Sequence, residues 1–364
     1  MALAAKDEDT LVNTLIWLAL LALAYVPLAG LLLAIGLRLA LTAGVVDWSG
    51  ARKPAPSDPV TLGYRGDPQA AFGYAFETVH YQTPLGAAEA WLVPAKKPSP
   101  LWAIFVHGIG GTRENGYRQL RILHEAGVPV LMITYRNDPG APMSADRLHS
   151  FGLAEGPDLA AAVDWALAQG AAKVVLVAES MGAAIAGQYL KRGGDTSAIA
   201  GLALDAPALD FRTVITAGGR RRYVPFTGAV AAVALWLLRC TGAPLGDADA
   251  RAAVAGFAGP VFVAHGRHDP LVPFEITEDL VSRRPETEVL VTDARNHLES
   301  HAVDEAAYVA GFRKWLDAVR SGLLTQAAEG EPRDHRQGGD NREQEDGSVD
   351  DVDQMHGKSP FNQG

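Results

Sequence analysis

"AESMG" occupies residues 178–182, and the fold turns on how it is read. It follows an apolar run, KVVLV at residues 173–177, and precedes a small-residue stretch, AAIAG at residues 183–187. A buried strand, a sharp turn and an Ala/Gly-rich helix would lift Ser180 out of the turn on a strained backbone. Such an elbow demands small residues two before and two after the serine, because the chain nearly touches itself there. Ala178 and Gly182 meet that demand, although Ala178 stands where the usual signature has glycine. Alone, a small-x-Ser-x-Gly pattern is common by chance, and the rival reading of Ser180 is a plain loop hydroxyl. The two readings separate on whether a base, an acid and an oxyanion site occur elsewhere in the expected order.

Outward from the elbow, apolar runs alternate with helical patterns. Strands are predicted at residues 101–106 (LWAIFV), 128–135 (VPVLMITY), 173–178, 199–204, 260–266 (PVFVAHG) and 288–293 (EVLVTD). Helical patterns fall between them, one opened by Pro157 and stopped at Gly170. A closing helix is predicted near residues 303–319, and an N-terminal hairpin at residues 74–81 and 87–93. Buried strands alternating with helices give an α/β class with a mainly parallel sheet covered on both faces. Residues 211–258 break the alternation with GGRRRYVPFTG and then AVAAVALWLLRC. A helical cap or lid inserted there would roof the C-terminal edge of the sheet, where open α/β sheets bind ligands; a buried packing helix is the plainer alternative.

Three further stretches bear on chemistry. HGIGGTRE, residues 107–114, follows the first long parallel strand. Its glycines let backbone N–H groups converge on an oxygen that becomes negative in acyl transfer; the expected donors are the N–H groups of Ile109 and Met181. A phosphate loop is excluded because no Gly-Lys-Ser/Thr follows. His107 reads as a brace for this loop. After the serine, VFVAHGRHDPLVPF puts Asp269 just past one strand and VLVTDARNHLES puts His297 just past the next, the chain order an acid and a base should have. Asp269 would fix the imidazole tautomer, and His297 would take and return the Ser180 proton. His301 is the weaker base and Asp205 the rival acid, while His265 and His268 read as supports of the acid loop.

The elbow, HGIGG, HGRHD and NH together resemble the α/β-hydrolase superfamily, nearest its membrane-anchored bacterial serine hydrolases of the serine-aminopeptidase-like and BEM46-like branches. The resemblance covers about residues 63–322 and implies an α/β-hydrolase fold. It carries the nucleophile, acid and base onto Ser180, Asp269 and His297. TYRND, residues 134–138, resembles a loop these proteins use at the site entrance.

The ends of the chain differ from its middle. Residues 11–37 are uncharged and rich in Leu and Ala; at roughly 1.5 Å per residue they cross a hydrocarbon core of about 30 Å with some tilt. A cleaved signal peptide is the competing reading. The run is about twice a normal apolar signal core, and the preceding KDEDT is acidic where a signal wants positive charge. The expected organisation is an N-terminal tail (1–10), a transmembrane anchor (11–41), a Pro-rich extended linker (42–62), the α/β domain (63–322) and an acidic tail (323–364). Arg38, Arg52, Lys53 and Arg65 follow the span, which places the domain in the cytoplasm by the positive-inside rule. The tail carries ten acidic and four basic side chains, a net −6 of the chain's −10, with almost nothing apolar to bury, so disorder is expected. The negative balance argues against a nucleic-acid partner. The single cysteine, Cys240, excludes an intramolecular disulfide.

A serine nucleophile points to an acyl-enzyme on an ester, thioester or amide, with no metal and no cofactor required. The expected partners are a small-molecule acyl substrate, an ester with lipid esters among the candidates, and the membrane. Two other classes stay open at this point: a serine peptidase of aminopeptidase or prolyl type, and a non-catalytic binding member of the fold.

Overall fold

The computed structural model describes residues 2–48 and 54–330. Residues 49–53 of the expected linker and the acidic segment from 331 onward, read above as disordered, lie outside the described residues. Two compact units are distinguished, residues 1–324 and residues 325–364; everything below concerns the first, apart from the end of its last helix.

The chain opens with helix α1 (Ala2–Leu41), followed by a short helix α2 (Pro68–Phe72) capped by the Asp67 carboxylate. Then come β1 (Glu77–Thr83), β2 (Gly86–Val93), β3 (Leu101–Val106), α3 (Tyr117–Glu125), β4 (Val130–Ile133), α4 (Gly156–Ala168), β5 (Lys173–Glu179) and α5 (Met181–Lys191). β6 (Ile199–Asp205) leads into three helices, α6 (Phe211–Arg221), α7 (Thr227–Cys240) and α8 (Arg251–Ala255). β7 (Val261–Gly266), α9 (Glu275–Arg283), β8 (Glu288–Thr292), α10 (Ser300–Val303) and α11 (Glu305–Gly330) complete the order.

The eight strands form one sheet in the order β1-β2-β4-β3-β5-β6-β7-β8. β2 is antiparallel to both neighbours; from β4 through β8 every pairing is parallel. The alternation of side chains along each strand splits the core in two. On one face Ile104, Val106, Leu176, Leu202, Leu204 and Val263 pack with Leu159 and Val163 of α4 and Ile185 of α5. On the other, Phe105, Val175, Val177 and Phe262 pack with Leu120 of α3 and Tyr308, Phe312 and Trp315 of α11. Each such large side chain taken out of water contributes about 1.5–3 kcal/mol before entropy is counted.

Three elements differ from the sequence reading. The last helix runs to Gly330, beyond residue 319 and into the stretch read as tail, because residues 320–330 contain neither proline nor a turn-forming cluster to stop it. The linker folds back where it is described: Thr42 pairs with Leu148, and the Ala43 N–H donates to Arg147 O at 2.8 Å. Helix α7 packs along α1 so closely that a Cβ on Gly30 would lie 2.5 Å from Val233 Cγ1.

β3 connects to β4 on one side, while the chain after β5 proceeds to the other. The carboxyl ends of β3 and β5 therefore flank the switch point of the sheet, where backbone amides open into a crevice.

Candidate active site

Ser180 stands between the end of β5 and the first residue of α5 with φ 50° and ψ −119°, a conformation that costs a non-glycine residue about 1–3 kcal/mol. The surroundings over-determine it. The Ser180 N–H donates to Asp205 O at 2.8 Å, and Ser180 O accepts from the Ala208 N–H at 3.1 Å. The tight turn brings α5 onto the end of β3: a Cβ on Gly182 would sit 2.1 Å from Val106 O and 2.7 Å from His107 O. No side chain fits there, which is the physical content of the small residue at the end of AESMG. Ala178, in the strand and buried, accommodates its methyl.

The serine hydroxyl is in line with two side chains brought from distant parts of the chain. Ser180 Oγ lies 2.8 Å from His297 Nε2, and His297 Nδ1 lies 2.7 Å from Asp269 Oδ2. Asp269, three residues past β7, is buried, and its Oδ1 accepts the N–H groups of Leu271 and Val272 at 2.8 and 2.9 Å. Burial alone would raise the Asp269 carboxyl; the His297 hydrogen bond and charge, with the two amides, outweigh it and hold the group below the ordinary carboxylate range. An ionised Asp269 can only accept, so His297 Nδ1 is the donor to it, and in the neutral imidazole Nε2 presents its lone pair to the Ser180 hydroxyl.

The HGIGG loop after β3 lies against the serine: a Cβ on Gly108 would be 2.9 Å from Ser180 Cβ. Gly108 O accepts from His107 Nδ1 at 2.8 Å, from the Tyr135 hydroxyl at 3.2 Å and from the Gly111 N–H at 3.0 Å. A trans peptide points its C=O and the following N–H in opposite directions, so fixing Gly108 O fixes the direction of the Ile109 N–H. Among the described residues the N–H groups of Ile109 and Met181 donate to no group of the chain. His107 Nε2 in turn faces Asp138 Oδ2 at 3.0 Å. Both ring nitrogens of His107 therefore face acceptors. Burial opposes its charge, but Asp138 more than compensates and moves the group above its ordinary value.

Several residues went unread in the sequence. Glu179, next to the serine, is fully buried; it accepts from Arg118 at 2.6 Å and from Asn115 at 2.9 Å. Arg118, also buried, donates to Leu298 O at 2.8 Å and so ties this charge pair to the loop that carries His297. A carboxylate at the end of an apolar strand was the available signal, since a buried charge needs a partner. Asp205 joins the same cluster: the Tyr308 hydroxyl donates to it at 3.3 Å and Arg118 lies 3.8 Å away. Burial, with the Glu179 charge adding to it against Arg118, pushes Asp205 up to about 6. Its side chain makes no hydrogen bond to His297 among the described residues. His265 bonds Thr277 Oγ1 at 2.7 Å and Val272 O at 3.2 Å beneath the acid loop, and burial lowers it to about 4. His268 is exposed, and His301 is buried against Tyr308. TYRND does not line the cavity: Asp138 holds His107, and Arg136 makes a two-pronged bond to Asp158 at 2.7 and 2.8 Å.

A cavity of about 620 Å³ opens onto the serine. Its wall includes Gly108, Ile109, Ser180, His297 and Leu271, and opposite them Trp48, Pro54, Pro56, Leu62 and Tyr64. No residue of 211–258 lines it. The expected lid is elsewhere because its apolar side, Val230, Ala234, Leu235 and Leu238, is used against α1 and the core. Trp48, Pro54, Pro56 and Leu62, from the segment read as a Pro-rich extended linker, contribute to the wall instead. Among the described residues no group of three His, Cys, Asp or Glu side chains could hold a metal ion.

No family model and no curated protein sequence matches the chain. Solved structures do. An esterase from Pyrococcus furiosus superposes with TM-score 0.55 at 19% identity, over 69% of this chain and 94% of that one. The chain has the α/β-hydrolase fold. A 2,6-dihydroxy-pseudo-oxynicotine hydrolase superposes with TM-score 0.52 at 15% identity, over 69% of this chain and 70% of its own. At such identities the likeness of this α/β-hydrolase fold to its neighbours is one of architecture, and chemistry must be argued from the site.

Proposed function

We propose that the chain is a membrane-anchored serine hydrolase that cleaves an ester or related acyl bond through an acyl-enzyme, with Ser180 as nucleophile, His297 as base and Asp269 as its orienting acid. The observation that carries this reading is the unbroken line from Ser180 Oγ to His297 Nε2 at 2.8 Å and from His297 Nδ1 to Asp269 Oδ2 at 2.7 Å. His297 removes the hydroxyl proton as Oγ attacks the carbonyl carbon. The oxygen that becomes negative is met by the Ile109 and Met181 N–H groups, which spend no other hydrogen bond. The imidazolium, stabilised by the ionised Asp269, then protonates the leaving oxygen, and water drawn through His297 releases the acid and restores the serine. The 620 Å³ cavity is of a size that suits a small acyl substrate.

Helix α1 contains a stretch, Val12–Leu41, long and apolar enough to cross a membrane, and the cations after it favour the cytoplasmic side for the domain. The neighbours in fold include proteins described as an esterase and a hydrolase, which favours the same reaction class.

The test is labelling of the full chain in detergent with a fluorophosphonate, wild type beside Ser180→Ala. Labelling of the wild type alone is the expected result. Absence of labelling in folded wild type would remove the enzymatic reading in favour of a binding protein. A series of acyl esters beside amino-acyl amides then separates esterase from peptidase: ester turnover that rises toward octanoyl is expected, and amide turnover without ester turnover would assign it to the peptidases.

A further inference from the structure

The outer surface of helix α7 is unusual. Between Thr227 and Leu238 it carries no charged residue, and its outward positions include Ala229, Ala232 and Trp236. Trp236 is 61% exposed, and Phe226 and Tyr223 just before the helix are 62% and 91% exposed. Arginines bracket it, Arg220 to Arg222 on one side and Arg239 on the other. The strip adjoins α1, whose Leu28, Leu31, Leu32 and Ile35 are also exposed.

The length of α1 decides what covers this strip. Four consecutive charges, Lys6 to Asp9, bar the start of the helix from hydrocarbon. From Tyr25 onward one face of α1 is withdrawn from the surface: Tyr25, Val26, Ala29, Gly30, Leu33, Ala34, Leu37 and Leu41 are buried or half-buried, the i, i+4 spacing of a packed helix. At Gly30 α1 comes close against α7, opposite Val230 and Val233. The stretch of α1 between those charges and the packed face is residues 10–24, which at 1.5 Å per residue spans roughly 22 Å, short of a hydrocarbon core of about 30 Å. Closing the difference takes the helix to about Ala29, and any tilt takes it further. A span that starts after Asp9 therefore draws the α1–α7 contact into the bilayer.

We propose that α7 is a second membrane element: it lies beside α1 within the domain-proximal leaflet, with Ala229, Ala232 and Trp236 against lipid acyl chains. The α/β domain is seated in the membrane surface rather than tethered above it. The inference rests on the reading of α1 as a membrane anchor. It also gives the cavity a neighbour. The Trp48 indole N–H, in the cavity wall, donates to Ala40 O at 2.7 Å, and Ala40 lies roughly 16 Å along the helix from Ala29. An amphiphilic ester leaving the adjacent leaflet meets the cavity after a short path.

The test uses the full chain in lipid vesicles. Cys240 is the single cysteine, so a Cys240→Ser background accepts one probe at a time: Ala232→Cys on α7, Leu18→Cys on the exposed part of α1, and Ser282→Cys on α9 as the aqueous control. Each carries a bimane label, quenched either by doxyl groups on lipid acyl chains or by iodide in water. Doxyl quenching at position 232 is expected within about twofold of that at 18 and at least about fivefold above that at 282, with iodide quenching reversed. Doxyl quenching at 18 with iodide quenching at 232 overturns the second membrane contact and leaves the anchor standing. Iodide quenching at both overturns the two together. Protection of 232 from both quenchers also overturns it, and assigns the face to a second copy of the chain.

Discussion

Helix α5, MGAAIAGQYLK, and helix α7, TGAVAAVALWLLRC, are written in nearly the same alphabet of alanine, glycine and large aliphatics. Their surroundings are opposite. In α5 every residue from Met181 to Tyr189 is buried, pressed between the sheet and its neighbours. In α7 only the side bearing Val230, Ala231, Ala234, Leu235 and Leu238 is buried, and the other side is open. Small apolar residues serve α5 by close approach, since the elbow leaves no room for a Cβ at Gly182. In α7 they serve one close approach to α1 and otherwise present an apolar exterior. Apolar composition thus reports that a surface avoids water; it does not report whether protein or lipid replaces the water.

The largest effect is expected at the start of α5. Ser180→Ala is expected to lower kcat/KM for an acyl ester by about 10⁴-fold or more with an unchanged circular dichroism spectrum, since it removes the proposed nucleophile and relieves no packing. Residual turnover within tenfold of wild type would show that another group does the chemistry.

Gly182→Ala should act on the fold instead. Its methyl meets backbone oxygens of residues 106 and 107 that the sheet holds in place, so a loss of about 3 kcal/mol or more is expected in a denaturant titration. Retained stability would mean that α5 can move off β3.

A third effect concerns pH. His265, buried and lowered to about 4, is forced to stay neutral on folding. A histidine whose folded value lies below its unfolded 6.5 binds fewer protons folded than unfolded, so its contribution is full above 6.5 and is lost as pH falls toward 4, about 3 kcal/mol in all. Asp205, raised to about 6, works the other way: its contribution is full below the unfolded value and is lost as pH rises through 6. Removing the histidine in His265→Gln is expected to flatten or reverse the rise of stability with pH between 4 and 6.5. Asp205→Asn should steepen it. Parallel profiles for both variants and wild type would contradict the assignments.

The smallest effect is the counterpart of Gly182 in α7. A Cβ on Gly228 meets nothing within 4 Å, so Gly228→Ala should leave stability unchanged or raise it by up to about 1 kcal/mol through helix propensity alone. A marked loss there would show that this end of α7 is packed against something and not open.

Much of the site was legible because each of its main parts is local. A strand, a turn and a small-residue helix announce Ser180 within a dozen residues, and Asp269 and His297 each follow a strand end. The supports were not legible in the same way. Arg118 reaches Glu179, Asp205 and Leu298 O across separations of 61, 87 and 180 residues, and Asp138 reaches His107 across 31. Neither has a signature beyond being a charged residue, which a sequence reading assigns to the solvent by default.

By itself the sequence determined the alternation of strands and helices, the two-sided burial of the sheet and the elbow, because all three are set by periodicity and by steric limits within a few residues. Which distant groups meet follows from the packing of whole elements. Asp269 faces His297, and Asp205 does not. Trp48, Pro54, Pro56 and Leu62 after α1, and not the inserted helices, contribute to the cavity wall. Helix α7 turns one apolar side to α1 and leaves the other uncovered. The physical reason is that a side chain's partner depends on how whole elements pack, and packing is a property of the assembled sheet and helices that no single segment encodes.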